Sequence, residues 1–283
     1  MTGAVLRPRR SALYVPGSNA KALAKIREVD ADVVIIDLED AVAPEAKVTA
    51  RAAAVTVAQD GLDGRELVVR INSLDTPWGG DDLAALRGAP IDAILVPKVS
   101  SGDDVARHVA TSAGTVPLWA MIETARSMLR LEEIASAPGL GALVMGTNDL
   151  AKEMTATPDT ARSQFSGFLA MSVAAARAFG LAVLDGVYNR LDDEAGFAAE
   201  CAHGRAFGFD GKTLIHPKQV ALCHAAFSPN EAELAAAERI IAAFAMPENA
   251  DKGAIRLDGQ MVERLHRQTA LRILATAKEM GLR

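Results

Sequence analysis

Two carboxylates stand at the ends of short apolar runs, Glu123 after Leu118-Trp119-Ala120-Met121-Ile122 and Asp149 in Val144-Met145-Gly146-Thr147-Asn148-Asp149-Leu150. A single acid in such a place more often caps the next helix than binds a ligand. Two in successive units can converge on one ion. With no His or Cys close by in sequence, the expected ion is the hard, oxygen-seeking Mg2+, its shell completed by water and substrate oxygens, whereas zinc would want nitrogen or sulfur. The rival use of two acids, as a glycosidase pair, fits less well, because aromatic residues are only 4% of the chain and sugar sites usually want stacking rings.

Arg70 ends the run Leu67-Val68-Val69, which pushes a guanidinium toward the same region. Burying it is costly unless it meets anions, and its donor fork suits a carboxylate or an enolate oxygen. A salt bridge to Asp37 or Glu39, at the end of the preceding run, is an equal use, and both can hold at once. Lys98, after Val96-Pro97, is a candidate Schiff-base lysine, but beside a metal pair a supporting role is preferred. A divalent ion, an arginine and a cavity suit reactions that build negative charge on a carbonyl oxygen, such as aldol or Claisen cleavage.

The elements that must position these groups are apolar runs alternating with Ala/Leu-rich stretches. Eight runs are read as strands: Ser11–Val15, Val33–Leu38, Leu67–Ile71, Ala93–Val96, Leu118–Ile122, Ala142–Met145, Leu181–Leu184 and Lys212–Ile215. Helices are expected over Asn19–Val29, Glu45–Gln59, Asp103–Thr111, Ala125–Ala135 and Ala161–Phe179. Continuously apolar strands separated by helices imply a covered parallel sheet, and eight units fit a (β/α)8 TIM barrel. The rival doubly wound sheet lacks its G-x-G-x-x-G turn, since the first turn reads Pro16-Gly17-Ser18-Asn19. Polar groups follow every run at its C-terminal end: Asp37, Glu39 and Asp40, Arg70 and Asn72, Lys98, Glu123, Asp149, Asp185 and His216. A barrel mouth gathers such groups around one cavity.

After His216-Pro217 only helices are expected. Ser228 or Asn230 caps Ala232–Phe244, Met246-Pro247 ends it, Gly253 to Gly259 is a link, and Met261–Met280 is a last amphipathic helix. The expected organisation is a catalytic barrel over residues 1–227 and a helical extension over 228–283 that packs on or over a neighbouring subunit.

The chain of 283 residues carries a net charge of −6 without a long basic run, so nucleic acid is not an expected partner. Arg7, Arg9 and Arg10 precede a strand rather than a signal core, and no apolar run reaches membrane-spanning length. A cytoplasmic location follows, with Cys201 and Cys223 as reduced structural thiols.

Taken together, Arg10-Ser11-Ala12-Leu13-Tyr14-Val15-Pro16-Gly17-Ser18, Ile36-Asp37-Leu38-Glu39-Asp40-Ala41-Val42, Val69-Arg70-Ile71-Asn72, Val96-Pro97-Lys98, Ile122-Glu123-Thr124, Gly146-Thr147-Asn148-Asp149-Leu150 and Ile215-His216-Pro217-Lys218-Gln219 resemble, in order and over nearly the whole chain, the motif series of the citrate lyase β-subunit-like family of the HpcH/HpaI aldolase superfamily, which includes malyl-CoA and citramalyl-CoA lyases. The resemblance implies a Mg2+-dependent carbon–carbon lyase that cleaves or forms a 3-hydroxyacyl-CoA thioester, giving acetyl-CoA and a 2-keto acid. It implies Glu123 and Asp149 as metal ligands, Arg70 as the arginine at the reacting oxygens, and Tyr14, Lys25 and His216 as contacts to the CoA thioester. Asn148, with the backbone at Gly146 and Thr147, would meet the keto-acid carboxylate.

The family's acid comes from a C-terminal lid of a neighbouring subunit in a homo-oligomer, a trimer or a larger assembly, in a motif like D-G-K-M-I-D. Here the stretch reads Asp258-Gly259-Gln260-Met261-Val262-Glu263, so Glu263 takes the aspartate's place, one methylene longer, with Asp258 as the other acid. Two alternatives stand beside this reading: the same chemistry on a carrier-protein thioester in a citrate lyase complex, and a non-catalytic barrel serving as a scaffold or regulatory subunit.

Overall fold

In strands covered on both faces, residues of one parity fill the barrel and those of the other pack under the helices. Ala12, Val33, Ile35, Val68, Leu95, Trp119, Met121, Val144 and Leu184 form the interior cluster. Their neighbours Val34, Ile36, Val69, Ile94, Ile122, Leu143 and Val183 belong to the larger cluster beneath the helices. Each fully buried aliphatic side chain of this size contributes about 1.5–3 kcal/mol.

The computed structural model describes residues 7–282 apart from Thr115 and Ala250. Its strands are β1 (Ser11–Pro16), β2 (Val33–Asp37), β3 (Glu66–Arg70), β4 (Ala93–Val96), β5 (Leu118–Ile122), β6 (Leu140–Met145), β7 (Ala182–Asp185) and β8 (Gly211–Leu214). They pair in parallel in chain order, and β8 closes on β1, with Ala12 opposite Thr213. This is the (β/α)8 barrel expected from the alternation. Gly211 permits the closure: a Cβ there would lie 1.9 Å from the Arg9 carbonyl oxygen.

Arg9 and Arg10 are structural. Arg9 lies over the Trp119 ring at 5.2 Å and donates to both oxygens of Glu66, while Arg10 holds Asp32. The expected helix over Ala125–Ala135 is broken at Arg130 into Ala125–Leu129 and Leu131–Ala135, the first capped by Thr124 with Ser127.

Residues 9–227 form one compact unit, and 228–282 belong to a second, smaller one. In the second, Asn230 and Glu233 form a reciprocal cap for the helix Glu231–Ala245. The expectation of helices only is corrected here. β9 (Ala254–Leu257) and β10 (Gln260–Glu263) make an antiparallel hairpin, and the last helix, Arg264–Glu279, starts after it. The two-residue turn is Asp258-Gly259, with φ of 52° and 81°, the conformation that Asp-Gly favours in a tight hairpin. Its inward residues Ile255 and Val262 pack with Phe244. Among the described residues, no helix is long and apolar enough to cross a membrane.

Candidate active site

The parity that fills the barrel also aims the polar strand ends. Asp37 follows Val33 and Ile35, Arg70 follows Val68, Glu123 follows Trp119 and Met121, and Gly146 follows Val144. They meet in a cavity of about 390 Å³ at the C-terminal ends of the strands, lined also by Tyr14, Asn148, Asp149, Asn189 and Thr213. The same parity excludes others. Leu184 is interior, so Asp185 turns outward to Lys212 at 3.0 Å and Arg162 at 2.7 Å, fully buried in the helix layer. Asn72 has the inward parity of Arg70 but lies beyond the end of β3, where its amide is tied to the Leu38 carbonyl and Asp82. The expectation that every strand-end polar group faces one cavity is therefore corrected for Asp185 and Asn72.

Arg70 is held by Asp37 through two parallel hydrogen bonds of 2.7 and 2.6 Å, with Glu39 at 3.1 Å. Its guanidinium carbon lies 4.8 Å from the centre of the Tyr14 ring. Burial disfavours its charge, but Tyr14, Asp37 and Glu39 outweigh this and keep it firmly protonated. Asp37 is itself fixed by the backbone N–H groups of Glu39 and Ala41. Burial pushes the Glu39 carboxyl up to about 7 against the pull of Arg70, and its Oε2 accepts no hydrogen bond. Burial also raises the Tyr14 hydroxyl.

Glu123 and Asp149 converge on one positive charge, the Lys98 ammonium, which contacts Asp149 Oδ2 and lies 3.4 Å from Glu123 Oε1. The Lys98 backbone N–H also donates to Glu123 Oε1 at 2.8 Å, from a left-handed conformation with φ of 56° that is uncommon for a side-chain-bearing residue. Gly146 leaves room for the acid: a Cβ there would fall 2.4 Å from Glu123 Cβ and 2.6 Å from its Oε2. Burial raises the Glu123 carboxyl. Partial burial acts the same way on Asp149, but the Lys98 ammonium overrides it and holds that carboxyl low.

The ammonium occupies the position of a cation between two oxygen donors. That donor set fits Mg2+, which is bound through one or two carboxylates and keeps several waters. No group of three or more His, Cys, Asp or Glu suited to a metal is present among the described residues, so a cation here would take these two side chains.

Other expected site residues are distributed more widely. Asn148 lines the cavity and pairs with Asn189. Lys25 is exposed at the end of the helix Ala20–Ala24. His216 is half-buried just beyond β8, its Nδ1 accepting from the Lys218 N–H, while its neighbour Ile215 lines the cavity. Glu263 lies in the other unit, where its N–H donates to His266 Nδ1. Sequence reasoning missed Asn189 and Thr213. Thr213 was legible from strand parity, whereas Asn189 sits in an irregular loop that gives no periodic signal.

A closed parallel barrel whose mouth gathers two acids that share the Lys98 ammonium, with a buried arginine beside them, is the frame of a barrel enzyme with its site at the strand ends. Residues 10–217 match the HpcH/HpaI aldolase/citrate lyase family, and the chain belongs to that family of lyases. It is 49% identical over 275 residues to a (3S)-malyl-CoA thioesterase of Cereibacter sphaeroides, covering 97% of this chain and 96% of the relative. It is 32% identical over 289 residues to the citrate lyase subunit beta of Escherichia coli K12, covering 98% and 96%. The crystal structure of CitE from Mycobacterium tuberculosis with magnesium, acetoacetate and coenzyme A superposes with a TM-score of 0.80 at 31% identity, over 95% of this chain and 97% of that one.

Proposed function

We propose that this chain is a Mg2+-dependent enzyme of 3-hydroxyacyl-CoA thioesters of the malyl-CoA or citramalyl-CoA type, cleaving or forming the carbon–carbon bond between an acetyl-CoA unit and a 2-keto acid. The observation that carries the reading is the convergence of Glu123 and Asp149 on one cation position, beside an Arg70 held rigid by Asp37. The similar CitE structure contains magnesium and coenzyme A.

Glu123 and Asp149 would hold the metal, and Mg2+ bound there supplies Lewis acidity toward the hydroxyl and carboxylate oxygens of the acyl group. In the cleavage direction the substrate hydroxyl gives its proton to water, the bond between C2 and C3 breaks, and its electron pair passes into the thioester as an enolate. Arg70 neutralises the charge gathering on that oxygen with donors already fixed before the reaction. Asn148 orients the keto-acid carboxylate, and Tyr14, Lys25 and His216 contact the thioester and its carrier. The enolate carbon takes a proton from an acid, and Glu263 of a neighbouring copy in a homo-oligomer fills that role, its extra methylene changing the reach on which general-acid work depends. The extension of residues 228–283 serves as the lid that brings it. The protein works in the cytoplasm.

A second reading is favoured by the 49% identity to a protein named (3S)-malyl-CoA thioesterase. The same substrate would then be hydrolysed: water adds to the thioester carbonyl, and CoA leaves as its thiol, giving the free hydroxy acid. Incubation with malyl-CoA and citramalyl-CoA, with and without Mg2+, separates the two. Free 2-keto acid without free thiol supports carbon–carbon cleavage, free thiol without keto acid supports hydrolysis, and neither product with any thioester refutes the CoA-ester reading. Citryl-CoA and a citryl thioester of an acyl-carrier protein belong in the same assay, since turnover of the carrier-protein ester alone would move the chain to a citrate lyase complex.

A further inference from the structure

Beside the cavity at the barrel mouth lies a second hollow of about 280 Å³, and the two share a wall of Thr147, Asn148, Val187 and Asn189. The ridge of this wall is a reciprocal amide pair. Asn189 Nδ2 donates to Asn148 Oδ1 at 2.8 Å, and Asn148 Nδ2 donates to Asn189 Oδ1 at 3.3 Å. Both side chains are exposed, so water competes for the pair and it holds the ridge only weakly. The ridge lines the same cavity as Glu123 and Asp149, so it borders the space in which the acyl group would bind.

The chemistry of the hollow limits what can enter. Pro158 and Phe165 give it an apolar part. Its charged groups are already engaged: Arg162 with Asp185 at 2.7 Å and Glu200 at 3.5 Å, Arg190 with Asp193 at 3.1 Å and the Tyr188 hydroxyl at 2.6 Å, and Asp159 with the Ser163 N–H and hydroxyl. A carboxylate entering here would have to compete with carboxylates in place, at a desolvation cost. A short alkyl group needs no partner.

We infer that Asn189, clasped to Asn148, sets the size of the substituent on the hydroxyl-bearing carbon of the acyl group, and that the hollow behind it is a subsite for a neutral alkyl substituent. This rests on the 3-hydroxyacyl-CoA reading of the site. With the clasp closed, hydrogen and methyl are accepted, longer alkyl groups are held back by the ridge, and a carboxymethyl group is refused by the paired charges.

The test compares wild type, Asn189→Ala and the double variant Asn189→Ala/Thr160→Trp, in which an indole fills the hollow from a residue that lines it but not the first cavity. The readout is the ratio of kcat/KM for the ethyl- and propyl-substituted thioesters to that for malyl-CoA. Asn189→Ala is expected to raise this ratio about 10-fold or more, and Thr160→Trp to cancel the gain. An unchanged ratio in Asn189→Ala, or a gain that survives Thr160→Trp, overturns the inference. If wild type turns over no thioester, the functional reading has failed. The clasp is then tested by calorimetry with glyoxylate, 2-oxobutanoate and 2-oxopentanoate in Mg2+: selective tightening of the longer acids by Asn189→Ala supports it, and equal or absent binding in both proteins overturns it.

Discussion

Arg70 and Asp37 end neighbouring strands and share two hydrogen bonds of 2.7 and 2.6 Å inside the barrel mouth. The pair sets the direction of the guanidinium before any substrate arrives. Arg70→Lys keeps a charge but loses the fork and the fixed plane, and is expected to lower kcat by about 10²–10³ with a smaller change in KM. Asp37→Asn leaves a buried guanidinium short of its counter-charge and is expected to cost about 3–5 kcal/mol of stability in urea unfolding. An Arg70→Lys enzyme with normal kcat would show that the fork plays no part in the rate.

At Gly146 an added methyl group would reach directly into the carboxylate pair, 2.6 Å from Glu123 Oε2. Gly146→Ala is expected to displace Glu123 and to weaken Mg2+ binding by about 10-fold or more, the order of loss seen when groups that orient metal ligands are changed. Calorimetric titration measures this without reference to turnover. Unchanged affinity would mean that Glu123 does not bind the ion from its present position.

Lys98 competes with a metal for both carboxylates. Lys98→Met removes the resident charge, so Mg2+ should bind at least about 10-fold more tightly, while the metal-free protein loses stability because two acids then face each other unneutralised. Weaker metal binding in Lys98→Met would instead assign the lysine a supporting role toward the ion.

Glu39 gives a pH dependence with a definite sign. Burial raises its carboxyl to about 7 in the folded protein, so the fold binds a proton there that the unfolded chain, with an ordinary pKa of about 4.3, releases. The stability this proton confers is fully present below the unfolded value and is lost as pH rises through about 7, a contribution on the order of 3 kcal/mol. In chelator, the difference in unfolding free energy between wild type and Glu39→Gln should therefore shift against wild type between pH 5 and pH 8. A difference constant over that range would contradict the burial argument.

The barrel was legible because its strands are continuous apolar runs between turn signals, as in Val33–Asp37 and Leu118–Ile122, and their chain order is also their spatial order. Glu123 and Arg70 were legible because each ends such a run, whereas Asp149 lies in the first turn of the next helix, Thr147–Glu153, four residues beyond β6. Strand parity was the missing step for Asp185, since its inward neighbour Leu184 turns it away from the mouth. The hairpin Ala254–Glu263 was read as a link and the start of a helix because its strands are only four residues each, too short for alternation to stand out, although Asp258-Gly259 marks its turn. The convergence of Lys98 on both acids has no sequence signal, because it depends on a left-handed backbone at that residue.

The most direct test of the account is Mg2+ titration of wild type, Glu123→Ala and Asp149→Asn by calorimetry, with thioester turnover measured on the same samples. The account predicts that wild type binds one ion per chain and that each substitution lowers its affinity at least about 10-fold, with turnover lost in parallel and partly recovered at high Mg2+. Undiminished affinity and turnover in both variants would contradict it, because the ion would then lie elsewhere and the two acids at the barrel mouth would have no part in the chemistry.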